Sequence, residues 1–138
     1  MPHVHAPGLV LRFDPATLAA DGATHTGNAE VEFAPQQYFV CIDANAKDAL
    51  WVPLFAGPGA GRKGIAATAK TGGARWTKFT SFYDATLLCR VNHKSAQHAA
   101  TIAYDESTPK QPNRLAIAHL PKRDEFPADS AFHPIAAQ

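Results

Sequence analysis

The fold is decided by residues 38–55, which read YFVCIDANAKDALWVPLF. Two apolar runs rich in β-branched and aromatic residues, Tyr38–Ile42 and Leu50–Phe55, flank a polar connection. Such a pair of runs is typical of a β-hairpin, and a connection without Asn-Gly or Asp-Gly predicts a turn longer than two residues. Because the runs are continuously apolar, we expect both faces of the hairpin to be at least partly covered.

Length and composition predict one mainly β domain. The chain has 138 residues, near the modal domain size, with 46% hydrophobic and 18% charged residues. Eleven prolines and nine glycines favour a turn-rich β fold over a helix bundle. We expect a flexible leader at residues 1–7, a single β-barrel domain at 8–120 and a proline-containing tail at 121–138.

Local patterns predict the other elements, among them one or two short helices. Asp14-Pro15 is typical of a helix start, with Asp14 as N-cap and Pro15 at the first helical position. The alanine-rich stretch Ser95–Tyr104 predicts a second helix, capped by Ser95 or Asn92. Further strands are predicted at Gly8–Phe13, Glu30–Phe33, Arg75–Phe82 and Tyr83–Val91.

The two cysteines and the N-terminus indicate the cellular compartment. Cys41 and Cys89 each lie in an apolar run, where a buried free thiol is favoured over a disulfide. The N-terminus has neither the charge nor the apolar core of a signal peptide, and no apolar run reaches the roughly 20 residues that span a bilayer. We therefore expect a bacterial or phage protein of the reducing cytoplasm, without a membrane partner.

Charge is unevenly distributed along the chain. The net charge is only +1, yet residues 55–83 contain five cations and no acid. Aromatic residues alternate with these cations, a combination that can hold phosphates and stack unpaired bases. The candidate nucleic-acid-binding residues are Arg62, Lys63, Lys70, Arg75, Trp76 and Lys78. A solvated cationic face with its rings in the core is an equally open interpretation.

Phosphate-loop and metal motifs are not matched. The glycine loop Gly57–Gly64 lacks the spacing of a Walker A sequence, because Lys63 is followed by glycine. The seven histidines show no zinc-ligand spacing, so neither a metal nor another cofactor is predicted. His25 lies between two glycines and is the histidine that we expect to be exposed and able to transfer protons near neutral pH.

The order of these features resembles the PemK/MazF family of small SH3-like barrels, the toxins of bacterial toxin–antitoxin pairs. Gly8–Phe13 corresponds to the first strand of the family, and Gly22–Gly27 corresponds to its glycine-bounded loop. Tyr38–Ile42 corresponds to the family strand of hydrophobic-Val-hydrophobic pattern, and Val52–Phe55 corresponds to the strand that ends in Pro-Leu-Thr. The resemblance covers roughly residues 8–91. It implies an SH3-like barrel that cleaves RNA with an arginine and a hydroxyl side chain.

Both catalytic positions of the family are changed in this chain. The family's Arg-Pro pair is replaced by Pro35-Gln36-Gln37, and the hydroxyl residue after Pro-Leu is Phe55. A replacement set of His25 as base with Arg62 or Arg75 stabilising the charged phosphate is chemically reasonable. RNA binding is favoured over RNA cleavage on these grounds.

Two functional hypotheses follow. The first is a protein of PemK/MazF type that binds single-stranded RNA. The more specific version of this hypothesis is an endoribonuclease that cleaves the bound RNA. The second is a non-catalytic SH3-like module whose aromatic face around Trp51 and Trp76 binds an antitoxin-like protein partner or forms a homodimer.

Overall fold

The computed structural model describes residues 5–27, 31, 33–34, 37–59, 61–102, 113–126 and 132–135. The strands of this part are β1 (Leu9–Phe13), β2 (Thr24–His25), β3 (Gln37–Ala44), β4 (Asp48–Pro53), β5 (Arg62–Ile65), β6 (Lys70–Thr71), β7 (Ser81–Asp84), β8 (Cys89–Asn92), β9 (Asn113–Leu115) and β10 (His133–Pro134). The α-helices are α1 (Pro15–Ala20), α2 (Ala74–Thr77) and α3 (His93–Ile102), and 3-10 turns lie at Ala67–Ala69, Ile117–His119 and Arg123–Glu125.

The predicted hairpin forms the centre of the main sheet. Strands β3 and β4 pair antiparallel, with Val40 opposite Val52 and Cys41 opposite Trp51, and a bulge follows Cys41. The Asn45 side chain closes the turn by accepting hydrogen bonds from the backbone of Lys47 and Asp48. The hairpin prediction is confirmed.

Among the described residues, eight strands make one sheet and two make another. The large sheet has the order β10-β2-β8-β4-β3-β1-β9-β6, and the small sheet pairs β5 with β7. An isolated bridge between Phe55 and Phe82 connects the end of the hairpin to the small sheet. The mainly β class is confirmed, while in the part of the chain that is described no strand pairing joins β10 to β6 to close a barrel.

The large sheet is covered on both faces, as the continuous apolar runs predict. One face, called here the helical face, carries Leu11, Phe39, Trp51 and Cys89 under α1 and α3. The other, called here the cavity face, carries Val10, Val40 and Val52 under the small sheet and the segment 69–76. Neighbouring residues of one strand belong to opposite faces because strand side chains alternate.

The two predicted helices are confirmed, and a third short helix, α2, forms where a strand was predicted. The Asp14 carboxylate accepts a hydrogen bond from the Thr17 backbone at the start of α1, and Asn92 caps α3 by accepting from Ser95. Within the predicted strand Arg75–Phe82, residues up to Thr77 form α2 instead. This turn forms because the Gly73 carbonyl accepts from both Trp76 and Thr77.

Residues on the far side of the predicted boundaries at 8 and 120 also contact the core. His5, in the predicted flexible leader, is buried against Trp51. In the predicted tail, Phe126 is buried on the cavity face, Ile135 is buried on the helical face, and β10 pairs with β2. Ring and apolar contacts therefore attach His5, Phe126 and Ile135 to the core, while the division of the chain into leader, domain and tail stays a prediction. Residues 1–4, 127–131 and 136–138 lie outside the described part, as do Glu30 and Glu32 of the predicted strand Glu30–Phe33.

Candidate functional site

A cavity of about 490 Å³ opens at one end of the cavity face. Its walls come from the start of β3, the residues after β4, and the segment from β6 to β7. The lining residues are Ala34, Gln37, Tyr38, Leu54, Phe55, Ala56, Lys70, Arg75, Trp76, Phe79, Thr80 and Ser81. A cavity of this size with a mainly apolar lining and a few polar groups is typical of a small-ligand or single-base site.

Gln37 and Phe55, which belong to the segments compared with the family's catalytic positions in the sequence, both line this cavity. The Gln37 side chain connects the segment before β3 to the end of β4. Its oxygen accepts a hydrogen bond from the Ala34 backbone N–H, and its amide N–H donates to the Leu54 carbonyl. Phe55 lies at the cavity wall with the Arg62 guanidinium 3.9 Å from its ring centroid. The residues at these positions here are thus an amide and a ring, and neither offers an acid, a base or a phosphate clamp.

Among the described residues, four aromatic rings line the cavity with very different exposure. Phe79 is 63% exposed at the rim, and Tyr38 and Phe55 are half-buried. Trp76 is 1% exposed, packs against Tyr38 at a centroid distance of 5.2 Å, and donates its indole N–H to the Arg114 carbonyl. Trp76 is therefore part of the cavity floor, which corrects its prediction as a base-stacking residue.

Lys70 is the most constrained of the predicted cations. Its side chain is buried, and its Nζ lies 2.6 Å from the Phe79 carbonyl, 3.2 Å from the Trp76 carbonyl and 2.6 Å from Ser81 Oγ. Burial lowers the pKa of this amine from 10.5 to about 8. The ammonium also lies 3.9 Å from the Trp76 ring centroid. Lys70 ties the segment 76–81 to the sheet and does not extend towards solvent.

The other predicted cations surround the cavity unevenly. Arg75 lines it, and Arg62 lies at its edge over Phe55, with one guanidinium nitrogen donating to the Gly57 carbonyl. Lys78 lies outside the lining, with its ammonium 5.6 Å from the Phe79 ring. Lys63 forms an ion pair with Glu125 at 2.8 Å, so much of its charge is compensated within the chain.

His25 is not in an exposed loop, and this prediction is wrong. It belongs to β2, is fully buried, and lies opposite Cys89 in the sheet, which places it on the helical face. Its Nδ1–H donates to the Thr26 carbonyl at 2.7 Å, and its ring packs edge-on against Phe33. The structure therefore does not bring His25 together with Arg62 and Arg75, because the sheet separates it from the cavity.

The predicted aromatic face around Trp51 and Trp76 does not form either. Trp51 is completely buried on the helical face, whereas Trp76 is buried on the cavity face. The two indoles are core residues on opposite sides of one sheet. Trp51 and Trp76 therefore cannot form the protein-binding face that the hypothesis assigned to them.

Both cysteines are buried free thiols, as expected. Burial raises the pKa of Cys41 to about 12 and raises that of Cys89 further, so neither is a thiolate near neutral pH. Cys41 also donates to the Asp43 carbonyl. The thiols act as small apolar side chains of the helical face.

Sequence reasoning missed Ser81. It lies at the start of β7, eleven residues after Lys70, and no local motif connects the two positions. Their side chains meet because Lys70 begins β6 in the large sheet while Ser81 begins β7 in the small one. Only the relative placement of the two sheets reveals the pair.

The chain matches no protein-family model, no curated protein and no solved structure. None of the helices in the described ranges is long and apolar enough to cross a membrane. The function is therefore inferred from the cavity itself and from the resemblance of the sequence motifs.

Proposed function

We propose that the protein binds single-stranded RNA in this cavity. The observation that carries the proposal is the composition of the wall, where the rings of Tyr38, Phe55 and Phe79 and the cation Arg75 occur with no acid among the described lining residues. Rings that stack unpaired bases contribute about 1–3 kcal/mol per base, and lysine or arginine side chains attract the phosphates between them. The resemblance to the PemK/MazF family supports the same ligand class.

The exposed end of the cavity has the arrangement that a nucleotide needs. Phe79 presents a largely exposed ring at the rim, and Tyr38 and Phe55 are half-exposed beside it. Arg62 lies over the Phe55 ring and brings a positive charge to the same edge. A base would enter between the rings while its phosphates remain near Arg62 and Arg75.

A more specific part of the proposal is that the protein cleaves the RNA that it binds. Arg75 in the wall and Arg62 at the edge are suited to stabilise the negative charge that develops on phosphorus during cleavage. Since His25 is buried on the opposite face, proton transfer would have to use groups of the cavity wall. The association with a toxin–antitoxin pair stays a prediction from the resemblance.

Fluorescence anisotropy of a labelled single-stranded RNA, titrated with the protein at two salt concentrations, tests the proposal. We expect affinity to fall with salt, and we expect Arg75→Ala to weaken binding and to reduce the salt slope by about one. Lys94→Ala is the matched control, because Lys94 is an exposed cation on α3 of the helical face.

Three outcomes are informative. Equal losses for Arg75→Ala and Lys94→Ala would show a diffuse charge effect without a site in the cavity. Failure of the wild type to bind at low salt would remove the proposal and direct attention to a protein partner. A gel of the same RNA after incubation shows whether binding leads to cleavage, which we expect Arg75→Ala to abolish.

A further inference from the structure

Lys70 and Ser81 form a polar pair in the wall of the cavity. The Nζ–Oγ distance is 2.6 Å, both side chains line the cavity, and they are 6% and 8% exposed. The rest of the neighbourhood is largely apolar, with Leu54 and the ring of Trp76 among the lining residues. RNA binding as proposed above makes no use of this pair.

The hydrogen bonds of Lys70 fit a neutral amine as well as they fit an ammonium. A neutral amine has two N–H donors and one lone pair. The carbonyls of Trp76 and Phe79 can only accept, so they take both N–H groups. The remaining partner, the Ser81 hydroxyl, is able to donate its proton to the lone pair. Every polar atom of the cluster is satisfied in the state in which the lysine is a base.

The environment makes this neutral state accessible. The pKa of Lys70 falls to about 8 because burial disfavours the charged form. Arg75 is the other charged side chain among the described lining residues. A desolvated lysine beside a serine hydroxyl is one of the arrangements by which enzymes activate a serine nucleophile.

We propose that Ser81 is a nucleophile activated by Lys70 and that the cavity accepts a small apolar ester. In the first step, Ser81 Oγ forms a bond to the carbonyl carbon while its proton passes to Lys70 Nζ. The bond to the leaving oxygen then breaks, and Lys70 returns the proton to that oxygen, which leaves as the alcohol. Water, deprotonated by Lys70, hydrolyses the acyl-serine to the carboxylic acid, and the proton returns to Ser81.

The geometry also favours this assignment over that of a second serine. Ser95 is as buried as Ser81 but lies in the first turn of α3 on the helical face, where its backbone N–H donates to the Asn92 side chain, away from the cavity. It therefore provides a matched control in which one buried hydroxyl is removed without touching the cavity.

The test is trapping with an alkyl fluorophosphonate, which phosphonylates activated serines with loss of fluoride, followed by intact-mass measurement. We expect one adduct on the wild type and on Ser95→Ala, and a rate at least about 100-fold lower on Ser81→Ala. Hydrolysis of 4-nitrophenyl butyrate should follow the same order. No adduct on the wild type, or an undiminished rate on Ser81→Ala, would overturn the proposal.

Two readouts on the wild type remove any dependence on how the variants fold. Trypsin cleavage after Lys78 and Arg90 yields the peptide 79–90, and fragmentation of the labelled peptide should place the adduct on Ser81. The labelling rate should rise with pH and level off above about pH 8, where Lys70 becomes neutral. An adduct on another residue, or a rate without this inflection, would contradict the roles of Ser81 and Lys70. RNA binding can fail without affecting either result.

Discussion

The two faces of the large sheet bury similar kinds of polar side chain but give them different access. On the helical face, His5, His25 and Cys89 are at most 1% exposed. On the cavity face, Lys70 and Ser81 are also buried, yet they line an open cavity of about 490 Å³. The helices close one face by packing alanines against it, whereas the small sheet and α2 leave a gap over the other. Access, and not residue type, therefore decides which face can hold a ligand.

The largest expected effect is on the stability of the protein and comes from the helical face. Trp51→Ala removes a fully buried indole that packs against Phe13 and His5, and we expect a loss of about 3–5 kcal/mol in the free energy of unfolding. Urea denaturation measures this. Phe79→Ala is the control at the cavity rim and should change stability by less than about 0.5 kcal/mol, since this ring is 63% exposed. Equal effects would remove the distinction between the two faces.

A second prediction concerns the pH dependence of stability and again involves the helical face. Burial, followed by the proximity of His93, lowers the pKa of His5 from 6.5 to about 4. His93 donates from Nε2 to the Asn45 carbonyl, so its Nδ1 accepts the Nδ1–H of neutral His5 at 3.0 Å. The unfolded chain binds a proton at His5 below about pH 6.5, whereas the folded chain resists it until about pH 4.

Stability should therefore fall as the pH drops from 6.5 towards 4, by at most about 3 kcal/mol from this group. Urea denaturation across this range measures the slope. His5→Phe, which keeps a ring in the same site, should show a smaller slope because it removes the group whose pKa differs between the folded and unfolded chain. An unchanged slope would contradict the burial of a neutral His5.

The third prediction concerns RNA binding at the cavity face. Phe55→Ala removes a half-buried ring of the cavity together with the surface over which Arg62 lies. If a base stacks there, RNA affinity should fall by about 2 kcal/mol in an anisotropy titration. Phe82→Ala provides the control, because Phe82 is also half-buried and bridges Phe55 but does not line the cavity. Equal losses in the two variants would assign the effect to the packing of the segment and not to stacking.

Local features of this fold could be predicted from the sequence because neighbouring residues determine them. The continuous apolar runs at 38–42 and 50–55 gave the hairpin and its burial on both faces. The side chains of Asp14 and Asn92 reach amides only three residues away, so their caps could be predicted as well.

The candidate site depends on long-range placement, and there the sequence was insufficient. The face on which His25 lies is set by its pairing with Cys89, sixty-four residues later, and a shift of one residue would reverse it. Arg75 and Trp76 lie in α2 because tertiary contacts override a strand-like pattern, including the bond from the Trp76 indole to the Arg114 carbonyl. The meeting of Lys70 and Ser81 requires two sheets to be positioned correctly.

The smallest expected effect returns to the helical face, at the start of α1. Asp14→Ala removes the carboxylate that accepts hydrogen bonds from the backbone and the hydroxyl of Thr17, and it should lower the free energy of unfolding by about 1 kcal/mol. Asp14→Asn keeps a capping oxygen and should lose much less. Thermal or urea denaturation measures both variants. Because α1 packs against α3 and not against the cavity, neither change should alter RNA affinity or the labelling of Ser81 in the folded protein. An effect of Asp14→Ala on either would mean that the two faces are coupled through the sheet, and their chemistry could then no longer be treated separately.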